Sequence, residues 1–411
     1  MDLARLMKIL VLNSGSSSQK SCLYEVGAEL PPDPPPCLWE AKIEWEGDTG
    51  SLAIRNSNGA RRQERVKITS RAQAIEYLIS TLWKGEAGAV SSPSEIDVVG
   101  HRVVHGGPRY GNPTRITAEV KAAIGSLAEF APLHNRAELD SMDMVEKLFG
   151  PVPQVAVFDT GFHQSMPAAA AVYPGPYEWL SAGIRRYGFH GINYRYCSGR
   201  AAQLLGRDLN SLRLAACHLG NGCSLAAIRN GKSIDTTMGF TPLEGLMMGT
   251  RSGSVDPGIL TYLMRQGAVT AQQLDQTLNT QSGLLGISGK SGDMREILAA
   301  MKEGDERAKL AFDIYIHRLR SGIGSMIGVL GGLDALLFTG GVGENSPEVR
   351  GETCENFKFL GIRLEMSKNA QSPPDENIAA PESSVPVLII RAQEDWQIAR
   401  ECWALASRYD S

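Results

Sequence analysis

The stretch ILVLNSGSSSQKSCLYEV, from Ile9 to Val26, determines the organisation of the chain. An apolar run ends at Asn13, small polar residues follow from Ser14 to Ser18, and an alternating run leads on from Lys20. Such runs are typical of strands, so the segment predicts two strands joined by a glycine- and serine-rich turn. The stretch CHLGNGCSLAAIRNG, residues 217–231, repeats this design. The repetition predicts a duplicated domain with a cleft between the two copies.

Size and composition limit the class of protein. The chain has 411 residues, of which 43% are hydrophobic and 21% charged, and its net charge is −4. This length exceeds one ordinary core and predicts two domains. No basic stripe with interleaved aromatic residues is present, so nucleic acid is not an expected partner. Seven scattered cysteines without a C-x-x-C pair predict reduced thiols and a cytoplasmic location. No stretch has the pattern of a signal peptide or a membrane span.

Both halves of the chain show the same order of elements, a β-meander followed by helices and further strands. The pattern predicts an α/β fold of two duplicated domains with an active site in the cleft between them. Its two strand–turn–strand loops match the actin-like (ribonuclease H-like) ATPase architecture better than a P-loop fold. The first domain is expected to span residues 1–161 and to be completed by a C-terminal helix over 396–411. The second, 162–395, is expected to bind nucleotide. The proline-rich PPDPPPC, Pro31–Cys37, is predicted to be an exposed loop.

Three glycine-rich loops follow apolar strands: NSGSSSQK, HLGNGCS and FTGGVGENS. Glycine lets backbone N–H groups approach an anion closely, while Ser16 and Ser18 add hydroxyl donors and Lys20 adds a positive charge. The spacing matches neither a Walker A loop nor a dinucleotide fingerprint. Any single loop is explained as a tight turn, but three together favour phosphate binding. Ser346 and Pro347 predict a helix start after the third loop, where negative charge is stabilised.

Imidazole and charged side chains accumulate in the predicted loops. Six of the seven histidines lie in predicted loops marked by glycine or proline, although a single histidine is more often structural than catalytic. Arg102 and Arg251 lie among small residues and are suited to binding a carboxylate or phosphoryl group; a surface arginine is the alternative. Asp159, at the end of a predicted strand, is a candidate to hold a metal or orient a nucleophile, or else forms an Asx turn. Glu394, after the last predicted strand, is a metal candidate of the same rank.

Longer motifs resemble the acetokinase family of the actin-like kinase superfamily. The resemblance extends over roughly residues 9–400, and the block from Pro242 to Arg251 is its most specific part. It rests on VLNSGSSSQK, GHRVVHGG, APLHN, VAVFDTGFHQSMP, RRYGFHG, HLGNGCSLAAIRNGKSIDTTMGFTPLEGLMMGTRSGSVDPG, SGDMR and FTGGVGENSPEVR. The resemblance implies Mg²⁺-dependent, reversible transfer of a phosphoryl group from ATP to acetate, giving ADP and acetyl phosphate, with Mn²⁺ able to replace Mg²⁺. It also implies a homodimer through the second domain, with Leu243–Met248 near the interface.

The resemblance also assigns roles to individual residues. The implied catalytic residues are Asp159, His190, Arg251 and Asn221. Arg102 would bind the carboxylate of acetate, and the pocket for its methyl group would consist of Val104, Leu133, Phe189 and Pro242. Nucleotide contacts would come from Lys20, Ser16, Ser18, His218, Leu219, Gly220, Asn221, Gly222, Asp293, Met294, Arg295, Gly341, Val342, Gly343, Glu344 and Asn345. Asn13 and Glu394 would contact the metal ion.

A carboxylate is already a nucleophile, so the chemistry requires no strong general base. We therefore predict direct in-line transfer without a phosphoenzyme, with Asp159 orienting Arg102 or a metal-bound water.

The chain departs from the family pattern near two implied site residues. Ile192-Asn193-Tyr194 stands where the family usually has Thr-Ser-His, and Gln393-Glu394-Asp395 replaces Asn-Glu-Glu.

Three rival functions remain. A propionate or butyrate kinase of the same family would differ only in the volume of its apolar pocket. An ATP-driven conformational module would be expected to carry a partner-binding domain, and it would leave Arg102 unexplained. A catalytically silent paralogue is disfavoured because the residues implied as catalytic are intact.

Overall fold

The computed structural model describes residues 6–15, 18–127, 132–267 and 269–408, without the side chains of Glu46 and of residues 132–134. The chain divides into two compact units. The first comprises the residues up to Gly161 and those from Gln393 onward, and the second is Phe162–Ala392. Among the residues described, no helix combines the length and the apolar character needed to cross a bilayer.

The first unit is built on a mixed sheet. Its strands, within the described ranges, are β1 (Met7–Ser14), β2 (Ser18–Val26), β3 (Trp39–Glu46), β4 (Thr49–Asn56), β5 (Arg61–Lys67), β6 (Val98–Val103), β7 (Thr114–Arg115) and β8 (Gln154–Phe158). Their order across the sheet is β5-β4-β3-β2-β1-β6-β8-β7. The apolar run Ile9–Leu12 is at most 1% exposed, as expected for a central strand covered on both faces.

Helices cover this sheet. They are α1 (Arg71–Ser80), α2 (Ala118–Ser126) and α3 (Pro132–Phe149). The Ser70 hydroxyl caps α1 by accepting from the Gln73 N–H, and Thr117 caps α2 in the same way. These caps satisfy backbone donors that the first turn of a helix leaves without partners.

The second unit contains a smaller sheet of the same design. Its strands are β9 (Arg213–Leu219), β10 (Cys223–Arg229), β11 (Lys232–Thr236), β12 (Ala335–Thr339), β13 (Glu376–Asn377) and β14 (Val387–Ile389), in the order β11-β10-β9-β12-β14-β13. Its helices are α4 (Ala168–Ala171), α5 (Glu178–Ser181), α6 (Gly191–Leu205), α7 (Pro257–Arg265), α8 (Ala271–Thr280), α9 (Gly283–Ser288), α10 (Met294–Lys302), α11 (Glu306–Leu330), α12 (Gly340–Asn345), α13 (Pro347–Glu355) and α14 (Met366–Gln371).

The two sheets share one topology. In the first, β3, β2 and β1 form an antiparallel meander, and β1, β6 and β8 run parallel. In the second, β11, β10 and β9 form the meander, and β9, β12 and β14 run parallel. This correspondence confirms the predicted duplication of actin-like α/β domains.

The last helix, α15 (Glu394–Ala406), begins two residues before the predicted start at 396. Residues 393–395 therefore belong to the first unit rather than to the second. Asp395 is held there by an ion pair with Lys20, with 2.7 Å between Nζ and Oδ2. Further along the helix, the Trp396 and Tyr24 rings lie 5.3 Å apart, and the Trp403 indole N–H donates to the Gly27 carbonyl at 3.0 Å.

The third glycine-rich stretch differs from the expected open loop. Helix α13 begins as predicted, with Pro347 at its first position and the Ser346 hydroxyl accepting from the Val349 N–H. Residues 340–345 themselves form the short helix α12. The turn from β12 is possible because Gly340 adopts a φ of 78°, which favours glycine. Glu344 reinforces it by accepting from the Gly340 N–H at 2.9 Å.

Candidate active site

The β1–β2 hairpin of the first unit carries two of the predicted site residues. Asn13 and Lys20 are direct partners across the hairpin, whose turn is closed by the Gly15 N–H donating to the Ser18 carbonyl at 2.8 Å. Lys20 Nζ lies 2.7 Å from Asp395 and 3.6 Å from Glu40. Burial opposes the charge on Lys20, but Asp395 outweighs it and raises the lysine pKa. Ser16 lies outside the described residues.

A buried ion pair forms the centre of the first unit's candidate site. Arg102 lies near the end of β6, and Asp159 directly follows β8. Because β6 and β8 are parallel neighbours, the two side chains lie close together. Arg102 Nη2 lies 2.5 Å from Asp159 Oδ2, and the two side chains are 17% and 1% exposed. Burial opposes the arginine charge, but Asp159 outweighs it and raises the pKa of Arg102. The guanidinium therefore remains charged, and Asp159 holds it in place.

Two further carboxyl groups lie within electrostatic reach of this pair. Burial raises the pKa of Glu394 to about 7, with Asp159 adding to the effect and Arg102 opposing it. Burial likewise raises the pKa of Glu138 to about 8. Glu138 Oε1 accepts from the Val104 N–H at 2.9 Å, while Oε2 has no hydrogen-bond partner among the described residues.

Sequence reasoning missed Glu138. The available signal was its spacing on α3, where buried residues recur at Asn135, Glu138, Ser141, Met142 and Val145. A glutamate within such a buried stripe is exceptional, because a carboxylate pays a large desolvation cost. A buried glutamate in this pattern indicates a specific contact, which here is the hydrogen bond from the Val104 N–H.

The residues predicted to form the methyl pocket are divided between the two units. Val104, 3% exposed, belongs to the first unit, and Phe189, 2% exposed, belongs to the second. Pro242, also in the second unit, is half-buried, and its carbonyl accepts from Arg251 Nη1 at 3.3 Å. The side chain of Leu133 lies outside the described part of the chain. Val104 thus directly follows the strand that carries Arg102, and Pro242 directly contacts Arg251.

His190 and Arg251 of the second unit converge on the β9–β10 turn. A Cβ on Gly222 would lie 3.5 Å from Arg251 Nη1 and 3.7 Å from His190 Nε2. Burial lowers the pKa of Arg251, yet a guanidinium remains protonated in proteins. The His190 imidazole and the Arg251 guanidinium therefore lie together at a glycine turn, where an anion can approach the backbone closely.

Neighbouring residues fix the position of His190. It precedes α6 in the left-handed region, with φ 59°, and its Nδ1 lies 2.8 Å from the Ser224 hydroxyl. Its ring stacks on His218, with centroids 4.0 Å apart and an interplanar angle of 18°. His218 Nδ1 lies 2.7 Å from Asn193 Nδ2.

Asn221 lies at the tip of the same turn and is held against residues 249–251. The Gly249 N–H donates to the Asn221 carbonyl at 3.1 Å. A Cβ on Gly249 would lie 2.2 Å from Asn221 Oδ1, so glycine is required for the asparagine side chain to occupy this position. The MMGTRSG loop therefore positions Asn221 as well as Arg251.

A cavity of about 990 Å³ within the second unit is lined by half of the predicted nucleotide residues. This volume is at the upper end of the range of small-molecule sites. Predicted residues that line it are Gly220, Asn221, Asp293, Met294, Arg295, Gly341, Val342 and Asn345. Asp293 caps α10 by accepting from the Arg295 N–H, and the Arg295 guanidinium lies 2.5 Å from the same carboxylate.

Other predicted nucleotide residues do not line this cavity. Leu219 is fully buried in β9, Gly343 is buried in α12, and Gly222 faces His190 and Arg251 instead. Glu344 accepts from the Gly340 and Ala392 N–H groups, both at 2.9 Å, so its carboxylate supports the loop. His218 packs on His190.

Sequence reasoning also missed part of the cavity wall. Leu298, Ala299 and Lys302 line it from α10. These residues follow Met294 and Arg295 at intervals of four, so they lie on the same face of the helix. That periodicity was the signal, and Lys302 adds an ammonium group to the cavity.

Nearly the whole chain is similar to proteins of one known family. A profile of the acetokinase family matches residues 8–400. The acetate kinase of Gloeobacter violaceus is 61% identical over 401 residues, covering 97% of this chain and 99% of that protein.

Two solved structures of carboxylate kinases are also similar to this chain. The crystal structure of Porphyromonas gingivalis acetate kinase matches with a TM-score of 0.89 and 41% identity, covering 97% of this chain and 100% of that one. A propionate kinase from Francisella tularensis matches with a TM-score of 0.88 and 36% identity, covering 97% and 99% respectively.

Proposed function

The chain belongs to the acetokinase family, and from this premise we propose that it is an acetate kinase. It transfers the γ-phosphoryl group of ATP to acetate in a reversible reaction that gives acetyl phosphate and ADP. The observation that carries the proposal is the buried Arg102–Asp159 pair, since it presents an oriented guanidinium two residues before the buried, apolar Val104. A small carboxylate with a short apolar tail matches that chemistry.

In the acceptor half of the proposed site, Arg102 binds the acetate carboxylate. Arginine suits this role because its planar fork of N–H donors matches a carboxylate. Asp159 orients Arg102 and compensates its charge, which favours an orienting role over that of a base. Val104, Leu133, Phe189 and Pro242 contact the methyl group and limit the length of the acid.

In the donor half, the cavity of the second unit binds ATP. Gly220, Asn221 and the Gly341–Asn345 segment contact the nucleotide, and Asp293–Arg295 form the opposite wall with the apolar Leu298. Lys20 contributes a cation from the first unit. Ser16, Ser18, His218, Leu219 and Gly222 complete the proposed set of nucleotide contacts, while Glu344 supports them through the backbone.

Magnesium suits the residues proposed to hold it. No group of three or more His, Cys, Asp or Glu side chains within the described ranges forms a metal cage. Mg²⁺ is commonly bound through one or two carboxylates together with substrate phosphates. Glu394 and the Asn13 amide provide oxygen ligands of this kind, and Asp159 Oδ1 is buried with no hydrogen-bond partner in the part of the chain that is described. Bound Mg²⁺, or Mn²⁺ in its place, neutralises phosphate charge.

We propose that the phosphoryl group passes directly from ATP to the acetate oxygen. The acetate carboxylate is the nucleophile, and its negative charge repels the phosphates, so the protein must position the reactants and compensate charge. His190 donates a hydrogen bond and Arg251 supplies positive charge to the transferring group, with Asn221 as a further donor. No protein side chain carries the phosphoryl group.

The second unit carries an exposed apolar surface that favours a homodimer. Helix α7 has no buried residue, and its apolar side chains Ile259, Tyr262 and Met264 are 48%, 56% and 48% exposed. Residues Leu246–Met248 are buried within the unit, so most of the stretch expected near the interface belongs to the core. A second copy would cover the α7 face. Tyr262→Glu should shift the mass measured by light scattering toward that of one chain.

A cytoplasmic location is proposed as well. Six of the seven cysteines are buried and one is half-buried. Scattered thiols of this kind are typical of a reducing compartment.

Propionate kinase is the second candidate, and the Francisella tularensis structure favours considering it. The two activities differ by one methylene in the acceptor, which changes the free energy of discrimination by about 1–3 kcal/mol. The same residues would carry either activity, and the dimensions of the methyl pocket decide between them.

Trapping the acyl phosphate with hydroxylamine tests the proposal. The enzyme is incubated with MgATP and, separately, with formate, acetate, propionate and butyrate, and the acyl hydroxamates are quantified. The highest yield is expected with acetate. A highest yield with propionate or butyrate would retain the mechanism and reassign the acceptor. ADP release without hydroxamate from any acid would contradict the proposal and favour an ATP-driven conformational module.

A further inference from the structure

The first turn of α6 places two unusual residues close to His190 and His218, which lie beside the β9–β10 turn. Asn193 and Tyr194 are both fully buried, and they belong to the Ile-Asn-Tyr stretch that departs from the family pattern. Tyr194 Oη lies 2.6 Å from Ser224 Oγ, which in turn lies 2.8 Å from His190 Nδ1. Asn193 Nδ2 lies 2.7 Å from His218 Nδ1.

Tyr194, Ser224 and His190 form a first chain of hydrogen bonds, in which each donor and acceptor can be assigned. The Tyr194 hydroxyl is fully buried, and its side-chain hydrogen-bond partner is Ser224 Oγ, so the Tyr194 proton is directed to Ser224 Oγ. Ser224 is fully buried, and a buried hydroxyl proton requires an acceptor. With Tyr194 donating to it, Ser224 donates to His190 Nδ1. An imidazole that accepts at Nδ1 carries its proton on Nε2.

The second hydrogen-bonded contact joins Asn193 to His218, and the orientation of the Asn193 amide shows which atom is the donor. Its Oδ1 accepts from the Cys197 thiol at 3.5 Å, and its Nδ2 also donates to the Thr339 hydroxyl at 3.4 Å. An amide nitrogen donates and does not accept. His218 Nδ1 must therefore accept, which places the His218 proton on Nε2 as well.

Both Nε2 atoms face the glycine turn. His190 Nε2 would lie 3.7 Å from a Cβ on Gly222, and His218 Nε2 would lie 3.8 Å from a Cβ on Gly220. The two rings are stacked at 4.0 Å, and Arg251 lies beside the same turn. Because like charges at this separation repel strongly, neutral imidazoles avoid adding two further cations next to Arg251.

We propose that Tyr194, acting through Ser224, and Asn193, acting directly, are positioning residues that hold His190 and His218 as neutral imidazoles protonated on Nε2. Resting on the proposed function, this arrangement presents a preformed hydrogen-bond donor to the transferring phosphoryl group. A donor that is already oriented costs no reorganisation during the reaction. The Asn-Tyr stretch thereby sets the tautomers in this chain.

Long-range ¹H–¹⁵N correlation spectra of the enzyme labelled with ¹⁵N-histidine distinguish the two tautomers of each ring. The His190 and His218 signals are assigned by their loss in His190→Gln and His218→Gln. In the unsubstituted enzyme both rings should show a protonated Nε2. A ring protonated on Nδ1 would overturn the proposal for that histidine.

Three variants test the two chains separately. Tyr194→Phe removes the donor to Ser224, so Ser224 becomes free to accept and His190 should populate the Nδ1-protonated form. Ser224→Ala should shift His190 in the same direction and serves if Tyr194→Phe does not fold. Asn193→Asp replaces a donor by an acceptor, so His218 should become protonated on Nδ1. Unchanged tautomers in these variants would overturn the proposal.

Tyr315→Phe is the matched control, because it removes another buried hydroxyl, bonded to Cys223 at 3.4 Å. It should alter neither tautomer nor kcat. Tyr194→Phe should lower kcat by about tenfold to a hundredfold, the usual effect of losing an orienting partner, without changing the KM for acetate. A raised KM with unchanged kcat would contradict the positioning role. The spectra require no turnover, so failure of the hydroxamate assay and failure of this inference are distinguishable.

Discussion

Glu138 should make the stability of the first unit fall as pH rises. Its side chain is 1% exposed, and burial raises its pKa to about 8 from the ordinary value of 4.5. Between these two pH values the folded chain holds a proton that the unfolded chain has released. The free energy of unfolding therefore decreases with increasing pH across this interval. Below pH 4.5 the carboxyl is protonated in both states, and its contribution is fully retained.

The size of the effect follows from the two pKa values. A shift of one pKa unit corresponds to about 1.4 kcal/mol, so the shift of the Glu138 pKa from 4.5 to about 8 corresponds to roughly 5 kcal/mol. Glu138→Gln retains an oxygen that can accept from the Val104 N–H and does not titrate. The variant should match the original chain near pH 5 and become more stable than it, by several kcal/mol, near pH 9.

Urea unfolding at a series of pH values measures this difference. Five of the six tryptophans belong to the first unit, so intrinsic fluorescence reports mainly on it. Glu146→Gln is the control, since Glu146 lies on the same helix with its side chain 55% exposed, and it should leave the pH dependence unchanged. A difference between Glu138→Gln and the original chain that stays constant from about pH 5 to pH 9 would refute the reasoning.

Further predictions concern the acceptor and metal residues. Arg102→Met leaves Asp159 buried without its cation and should cost about 3–5 kcal/mol of unfolding free energy, whereas Arg109→Met, which breaks an exposed pair with Glu119, should cost no more than about 1 kcal/mol; equal losses in urea titrations would contradict this. Val104→Ala should raise the ratio of kcat/KM for propionate to that for acetate by roughly tenfold, and an unchanged ratio would remove Val104 from the methyl pocket. Because the pKa of Glu394 is about 7, protonation should compete with Mg²⁺ and weaken activation below that pH. Glu394→Gln should abolish this pH dependence, and its persistence would assign it to another group.

The fold was predictable from sequence because its two meanders carry strong local signals. Apolar runs, glycine turns and the Ser346-Pro347 helix start each determine local structure within a few residues. The start of α15 and the coiling of residues 340–345 into α12 were not predictable in this way. Both depend on contacts between distant residues, the Lys20–Asp395 pair and the hydrogen bond from the Ala392 N–H to Glu344.

The site was predictable in residue type more than in arrangement. Arg102 could be proposed as an arginine among small residues and Asp159 as a carboxylate at a strand end, but their pairing depends on the parallel register of β6 and β8. Glu138 and Lys302 were not predicted as site residues, because each is a single charged residue on a helix and its neighbours in space are known only from the structure. Asn193 and Tyr194 were recognised as departures from the family, and their contacts with His218 and Ser224 became apparent only in the structure.

The stereochemical course at phosphorus tests the central claim most directly. ATP made chiral at the γ-phosphorus with oxygen isotopes and sulfur is supplied with acetate and Mg²⁺, and the configuration of the resulting acetyl thiophosphate is determined. Direct transfer to the carboxylate oxygen predicts inversion of configuration. Net retention would require two successive displacements, hence a phosphorylated side chain, and would contradict the account.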